Sequence, residues 1–140
     1  MKIYDGTNML LGRLASLVAK DSLLGEEVRV VNCDKVIVSG KKEQVFARYV
    51  QRQNRRGYPL KSQKLPRLSD RFVRRAIRGM LPWKQERGQS AFNRIMCHIG
   101  LPQDLTGKDL ITIKDANVEK LPNARHVTVK EIVKHLGGKR

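Results

Sequence analysis

The chain has 140 residues and carries 29 lysine and arginine side chains against 13 aspartates and glutamates, which gives a net charge of +16 at pH 7. A chain of this length buries about two-thirds of the surface that its unfolded form exposes, so it needs no disulfides, and we expect Cys33 and Cys97 to be reduced thiols. No apolar run approaches the roughly 18 residues of a membrane-spanning helix and no signal peptide is evident, so we expect a soluble cytoplasmic protein.

The positive charge is concentrated in residues 41–94. This stretch holds sixteen basic side chains and three acidic ones, whereas residues 1–40 are neutral overall and residues 95–140 carry a net charge of +3. Charge of one sign at this density opposes folding by self-repulsion, and a bound polyanion removes that cost. Nucleic acid is therefore the first predicted partner, and an anionic membrane surface is the second.

Short apolar runs in the first forty residues predict strands on either side of one helix. Residues 1–5 read as a strand, and residues 6–8 supply a turn with a candidate helix N-cap. Runs 28–31 and 36–38 are rich in β-branched residues and predict strands buried on both faces of an α/β sheet. A helix is predicted between the strand 1–5 and the run 28–31, and Gly25 should end it. Its apolar face is formed by Leu10, Leu11, Leu14, Leu17 and Val18.

Gly12 lies inside this helical pattern. Glycine in a helix costs about 1 kcal/mol relative to alanine, so its presence predicts that something approaches the backbone closely at this point. The approaching group is either a neighbouring strand of the protein or an RNA backbone.

The basic stretch begins with a helix that has one apolar and one cationic face. Ser39 and Gly40 are predicted to open a helix over residues 41–52, and its apolar positions fall on a single face. Helical periodicity then disappears over residues 53–68, which contain five basic side chains and are punctuated by glycine and proline. A structureless segment of this length is uncommon in a compact domain unless it is functional, so we predict an extension that orders on RNA.

The next helix is predicted over residues 69–81, with Ser69 as its N-cap and Pro82 directly after its end. Its two faces differ sharply, because the apolar side chains recur at helical spacing and the arginines recur at the positions between them. Repulsion among these arginines costs on the order of 1 kcal/mol in total in the free protein. A row of phosphates would turn this repulsion into a favourable interaction. The apolar set is Phe72, Val73, Ala76, Ile77, Met80 and Leu81, and the arginines are Arg71, Arg74, Arg75 and Arg78.

The remaining pattern predicts a short helix over 89–94, a strand over 95–99, and either a strand or an extended segment over 110–113. Thr128 is followed three residues later by a glutamate, which is the signature of a capping box. A last helix is therefore predicted over 129–136, and the two glycines after it should end it.

Three motifs resemble the universal large-subunit ribosomal protein thirteen family, and the match runs in order from residue 1 to about residue 102. The features that carry it are Gly12-Arg13-Leu14-Ala15-Ser16, then Val30-Val31-Asn32-Cys33-Asp34-Lys35 running into Val38-Ser39-Gly40-Lys41, and Arg78-Gly79-Met80-Leu81-Pro82 followed by an apolar strand that ends at Ile99-Gly100. The features that resemble the archaeal and eukaryotic branch are Trp83 and Arg56-Gly57-Tyr58-Pro59-Leu60.

The resemblance implies an α/β fold with three layers, α/β/α, around a mostly parallel four-stranded sheet with a long basic extension and flanking helices. We expect one domain over residues 1–140, with the basic region 41–94 inserted within it. The resemblance also implies binding to large-subunit ribosomal RNA, contact with neighbouring ribosomal proteins, and a role in assembly and architecture of the large subunit. No catalytic activity, no membrane partner and no small-molecule substrate are implied.

The basic side chains of residues 41–94 and one tyrosine are the predicted RNA-binding residues. Most of them should contact phosphate and sugar, which fix position without reading sequence. Tyr58 and Trp83 can stack on unpaired bases, and packing against the domain is the alternative for Trp83. The predicted residues are Lys41, Lys42, Arg48, Arg52, Arg55, Arg56, Tyr58, Lys61, Lys64, Arg67, Arg71, Arg74, Arg75, Arg78, Lys84, Arg87 and Arg94.

The chain gives little support for an enzyme, a cofactor or a metal site. Ser39 to Lys42 follow a predicted strand like a phosphate-binding helix start, but they lack the glycine spacing of a nucleotide-binding loop. They are predicted to form an ordinary helix start, and a backbone contact to an RNA phosphate remains the alternative. Cys33, Cys97 and His98 lack zinc-finger spacing.

A DNA-binding regulatory protein is the competing function, with helix 69–81 as its recognition helix. That helix offers arginines but neither asparagine nor glutamine to read base edges. A structural RNA-binding protein is therefore the favoured prediction.

Overall fold

The computed structural model describes residues 1–55 and 65–138, which form five strands and five α-helices. Every helix and strand predicted up to residue 99 is present, with ends that differ by a few residues. The predicted extension 53–68 lies mostly outside the described residues, and its first two residues belong to a helix. The elements are β1 Lys2–Asp5, α1 Leu11–Leu23, β2 Val28–Val31, β3 Ile37–Ser39, α2 Lys42–Asn54, α3 Ser69–Arg78, α4 Glu86–Asn93, β4 Ile95–Cys97, β5 His126–Thr128 and α5 Val129–His135.

The parallel sheet has the strand order β1-β2-β4. Beyond β1, a single parallel bridge extends the sheet: the Ile111 amide donates to the Ile3 carbonyl at 2.7 Å, and the Ile111 carbonyl accepts from the Asp5 amide at 3.1 Å. The mixed α/β class with a mostly parallel sheet is confirmed, but within residues 1–55 and 65–138 the sheet has three strands and one bridge instead of four strands.

The strand β3 does not join this sheet and pairs instead with β5 in an antiparallel two-stranded sheet. The cause lies between β2 and β3, where Asn32 adopts a left-handed conformation with φ of 54° and residues Cys33–Lys35 form a 3-10 turn. The turn interrupts the extended backbone between the two runs, and the second run then pairs with the distant β5.

The main hydrophobic core lies on one face of the parallel sheet. Val28, Val30 and Ile95 point into it and are fully buried, and α1 and α3 cover them with side chains such as Leu14 and Ile77. The opposite face carries a smaller cluster, in which Ile3 and Val31 pack against Leu105 of a 3-10 turn. At this point the predicted third layer is therefore a short turn rather than a helix.

Local sequence signals correctly predicted the start of α5 and the ends of α1 and α5. The Thr128 hydroxyl accepts from the Glu131 amide at 3.3 Å and the Glu131 carboxylate accepts from the Thr128 amide at 3.1 Å, so the predicted capping box is confirmed. Gly25 and Gly137 follow α1 and α5 with φ of 99° and 86°, the left-handed conformation that ends helices.

Two predicted N-caps are wrong. The N-cap of α1 is Leu10 and that of α3 is Leu68, and neither side chain forms a capping hydrogen bond. Ser69 is instead the first helical residue and is buried, because it faces the core. The helix α3 also ends at Arg78, earlier than predicted, so Met80 lies outside the helix and is 44% exposed.

Gly12 is exposed in the first turn of α1, and a Cβ atom added to it would meet nothing within 4 Å among the described residues. Close packing against a neighbouring strand is therefore the wrong explanation for this glycine. The approach of an RNA backbone stays a prediction.

Asp21 connects α1 to β1, since its carboxylate accepts hydrogen bonds from the Tyr4 hydroxyl and from Lys2 Nζ at 3.0 Å. Burial alone would raise the pKa of Asp21, but these two hydrogen bonds outweigh it and lower the pKa below its ordinary value of 3.8. The ionised carboxylate is thus favoured in the folded state, and its contribution is fully present above pH 3.8 and is lost as the pH falls through the lower, folded pKa.

We expect Asp21→Asn to lower the free energy of unfolding by about 1–2 kcal/mol at pH 7, because a charged acceptor is lost. The difference from the wild type should narrow as the pH falls below 3.8. Urea unfolding between pH 3 and pH 7 measures it, with the exposed Asp104→Asn as a control. A difference that is constant across this range would contradict the assignment.

Candidate nucleic-acid interface

The cationic face of α2 is held by a buried tyrosine. Tyr49 is 8% exposed, and the guanidinium groups of Arg48 and Arg52 lie 5.6 and 5.7 Å from the centroid of its ring. Both arginines are otherwise exposed, so their charged ends reach solvent while the ring fixes their direction.

Lys42, at the start of α2, already has an acidic partner within the protein. Its Nζ lies 3.0 Å from Oε1 of Glu131 in α5, and both side chains are exposed. The hydrogen bond from Lys42, followed by that from the Thr128 amide, lowers the pKa of Glu131. An exposed pair of this kind contributes less than about 1 kcal/mol, so a phosphate can displace the carboxylate.

The arginines of α3 differ in their surroundings. Arg71 is exposed, whereas the guanidinium of Arg74 lies 4.3 Å from the centroid of the Phe92 ring and donates to the Phe92 carbonyl at 3.4 Å. Arg78 lies 5.2 Å from the centroid of the Trp83 ring. Two members of the row, Arg74 and Arg78, therefore also hold α3 against α4 and the segment before it.

This difference predicts unequal effects on stability. Arg74→Ala should lower the free energy of unfolding by about 1–2 kcal/mol, because a partly desolvated cation–π contact and a hydrogen bond are lost together. Arg71→Ala, the matched control on the same helix, should change it by less than about 0.5 kcal/mol. Chemical denaturation of both variants checks this, and equal effects would contradict the packing role of Arg74.

Trp83 packs against the domain, which is one of the two roles that the sequence predicted for it. Its ring meets that of Phe92 edge to face, with centroids 5.0 Å apart and an interplanar angle of 85°. It remains 40% exposed, and stacking of a base on the exposed part stays a prediction.

Of the other predicted residues, Arg75 is half-buried on α3, and the rest fall into three groups. Arg94 donates to the Ser22 carbonyl at 3.3 Å and so ties the start of β4 to α1. Exposed side chains without a described contact to an acid are Lys41, Arg55, Arg67, Lys84 and Arg87. The predictions that lie outside the described residues are Arg56, Tyr58, Lys61 and Lys64.

A basic residue that the sequence did not indicate, Arg125, lies beside the start of α2. The Gly40 amide donates to the Arg125 carbonyl at 3.0 Å, and Arg125 borders a groove with Lys41 and Lys42. The Gly40 amide is thus used within the protein, and the helix N-cap is Lys41 without a side-chain hydrogen bond. Arg125 was missed because the pairing of β3 with β5, which brings it here, leaves no local signal.

The Cys33 thiol is held in its neutral form. Cys33 is buried, and a hydrogen bond with Cys97, together with burial, raises the pKa of its thiol far above the ordinary value. Among residues 1–55 and 65–138, no group of three or more His, Cys, Asp or Glu side chains is arranged to hold a metal ion. No helix in that part of the chain is long and apolar enough to cross a membrane.

A small α/β scaffold with exposed cations on α2, on α3 and in the segments after them has the features of a nucleic-acid-binding protein. The chain belongs to the ribosomal protein L13 family, whose model matches residues 1–104. The resemblance inferred from the sequence motifs is therefore confirmed.

Relatives of this family align with nearly the whole chain. The large ribosomal subunit protein uL13 of Methanococcus maripaludis is 43% identical over 143 residues, which span 99% of each chain. The uL13 proteins of Archaeoglobus fulgidus and Methanopyrus kandleri are each 39% identical, over 96% of this chain and 86% of their own length. These relatives are archaeal, as the features of the predicted branch suggested, and their similarity extends beyond residue 104.

Proposed function

We propose that this protein is a structural constituent of the large ribosomal subunit and that it binds large-subunit ribosomal RNA through its basic surface. Membership of a ribosomal protein family supports the structural role and argues against catalysis. The observation that carries the RNA contact is the charge of residues 41–94, where sixteen basic side chains stand against three acidic ones.

Phosphate contacts are the main source of affinity in this proposal. Arg48, Arg52 and Arg71 are exposed on two helices, and the planar fork of arginine matches a phosphate group. Binding releases the cations condensed on the RNA, so affinity should fall steeply as salt is raised. Contacts with neighbouring ribosomal proteins are part of the same proposal.

The competing DNA-binding role of helix 69–81 has less support. Phe72, Val73 and Ile77 of α3 are buried in the main core, and Arg74 and Arg78 lie against aromatic rings. A recognition helix must instead present one free face to a major groove about 12 Å wide.

Sedimentation of a cell extract tests the proposal directly. The protein should travel with large subunits at moderate salt, and the purified protein should protect discrete sites on naked large-subunit RNA from cleavage. A protein that stays in the supernatant and binds duplex DNA as tightly as ribosomal RNA would support the regulatory alternative instead.

A further inference from the structure

We propose that a cleft between α2 and α3 binds one unpaired nucleotide of the RNA. This inference rests on the proposed function and names the kind of RNA element that one part of the basic surface takes. The cleft has a volume of about 380 Å³, which lies within the range of about 300–1,000 Å³ that is usual for ligand sites. The exposed Arg52 and Arg55, at the end of α2, are among the residues that line it.

The inner wall of the cleft is apolar and preformed. Leu11, Tyr49, Phe72 and Ala76 line it, and the rings of Tyr49 and Phe72 pack edge to face with centroids 5.2 Å apart. Both aromatic residues are less than a tenth exposed and belong to the main core, which fixes their positions. The packed rings give the cleft a rigid floor, and the half-buried Leu11 and Ala76 offer apolar surface to a planar base.

The cleft also has a cationic lining. Arg52, Arg55 and Arg75 contribute to it, and none of its described lining residues is acidic. A purely apolar ligand would offer no anion to the exposed Arg52 and Arg55, and inorganic phosphate would leave the apolar wall empty. A nucleotide presents a planar base and an anionic phosphate together, so it complements both parts.

The nucleotide must be unpaired. A base within an A-form duplex is stacked between its neighbours, and proteins read RNA bases mainly in loops, bulges and single strands. An exposed helix face without a cleft is sufficient for duplex phosphates. The cleft therefore has a role that the cationic surface alone does not fill.

Filling the cleft tests the proposal without changing a charge. Ala76→Leu places a larger side chain on the apolar wall, and Ala47→Leu makes the same change at an exposed position of α2. The probes are a ten-residue oligouridylate and a ten-residue abasic ribose-phosphate chain, which has the same backbone charge but lacks bases. Fluorescence anisotropy at a fixed, low salt concentration gives the two dissociation constants for each protein.

We expect the wild-type protein to bind the oligouridylate at least about tenfold more tightly than the abasic chain. Ala76→Leu should reduce this preference to about twofold or less, whereas Ala47→Leu should retain it. A wild type without the preference, or an Ala76→Leu variant that keeps it, would overturn the proposal. Occupation of the cleft by another part of the chain would give the first of these results.

Circular dichroism shows whether Ala76→Leu is folded. If it is not, Ala76→Met, whose side chain is unbranched and flexible, replaces it under the same criteria. The two proposals fail in different ways. Wild-type protein that does not bind large-subunit RNA contradicts the proposed function, whereas retained RNA binding with an unchanged base preference in the filled variant contradicts only the cleft.

Discussion

Gly88→Ala is expected to remove a large part of the folding stability. A Cβ atom on Gly88 would lie 2.1 Å from the Pro82 carbonyl oxygen and 2.4 Å from its carbonyl carbon. Both are backbone atoms, so no side chain can rotate to make room, and α4 must move away from the turn at Pro82. Overpacking of a core costs about 1–3 kcal/mol and occasionally more, and we expect a loss of about 3 kcal/mol or more here.

Urea denaturation followed by circular dichroism measures this loss, and Gly12→Ala is the matched control. Gly12 is exposed in α1 with open space around it, so alanine should raise the free energy of unfolding by about 0.5–1 kcal/mol. A Gly88→Ala protein as stable as the wild type would show that α4 shifts freely. The RNA affinity of the Gly12→Ala control tests whether an RNA backbone approaches that residue.

Replacing Arg48, Arg52 and Arg71 together by glutamine should weaken RNA binding on the order of a thousandfold at low salt. Each contact is a charge-assisted hydrogen bond, for which about tenfold in affinity is a conservative value. The slope of log affinity against log salt should also decrease by about 2–3, because three fewer cations are released. The fold should persist, since all three side chains are exposed.

The matched control removes the same charge elsewhere. Lys108, Lys114 and Lys120 are exposed and lie outside the basic stretch, so their triple glutamine variant has an equal net charge. Filter binding to large-subunit RNA at several salt concentrations compares the two variants. Equal losses of affinity and slope would mean that net charge alone matters and that α2 and α3 have no special place in the contact.

Features that depend on neighbouring residues were predictable from the sequence. The capping box of Thr128 and Glu131 was found because its two partners lie three residues apart. The apolar face of α3 was largely correct for the same reason, since helical spacing places Phe72, Val73 and Ile77 together. Charge in residues 41–94 is a property of the sequence itself, so the cationic region needed no structure.

The packing around glycines was harder to predict from the sequence, because it depends on which atoms lie next to the backbone in the folded protein. Gly12 attracted attention as a glycine within a helical pattern, yet its surroundings are open. Gly88 precedes the predicted helix 89–94, yet it lies within α4 against the Pro82 carbonyl. The glycine that was expected to be closely packed, Gly12, therefore has open space around it, whereas the closely packed one is Gly88.

Contacts between distant residues were not predictable at all. The pairing of β3 with β5 brings Arg125 to the start of α2, and the packing of Arg74 on Phe92 separates one arginine from an apparently uniform row. The candidate cleft joins the first turn of α1 to α2 and α3. Each of these depends on tertiary packing, which periodicity and spacing do not encode.

The antiparallel pair has a consequence for the order in which the protein is completed during translation. The parallel sheet uses strands that have all been synthesised by Cys97, whereas β3 receives its partner only when residues 126–128 have emerged. Until then the growing polypeptide exposes the unpaired edge of β3, which is a surface prone to mispairing. A nascent chain that stalls before its final strand would therefore be the species most exposed to aggregation and to surveillance by chaperones.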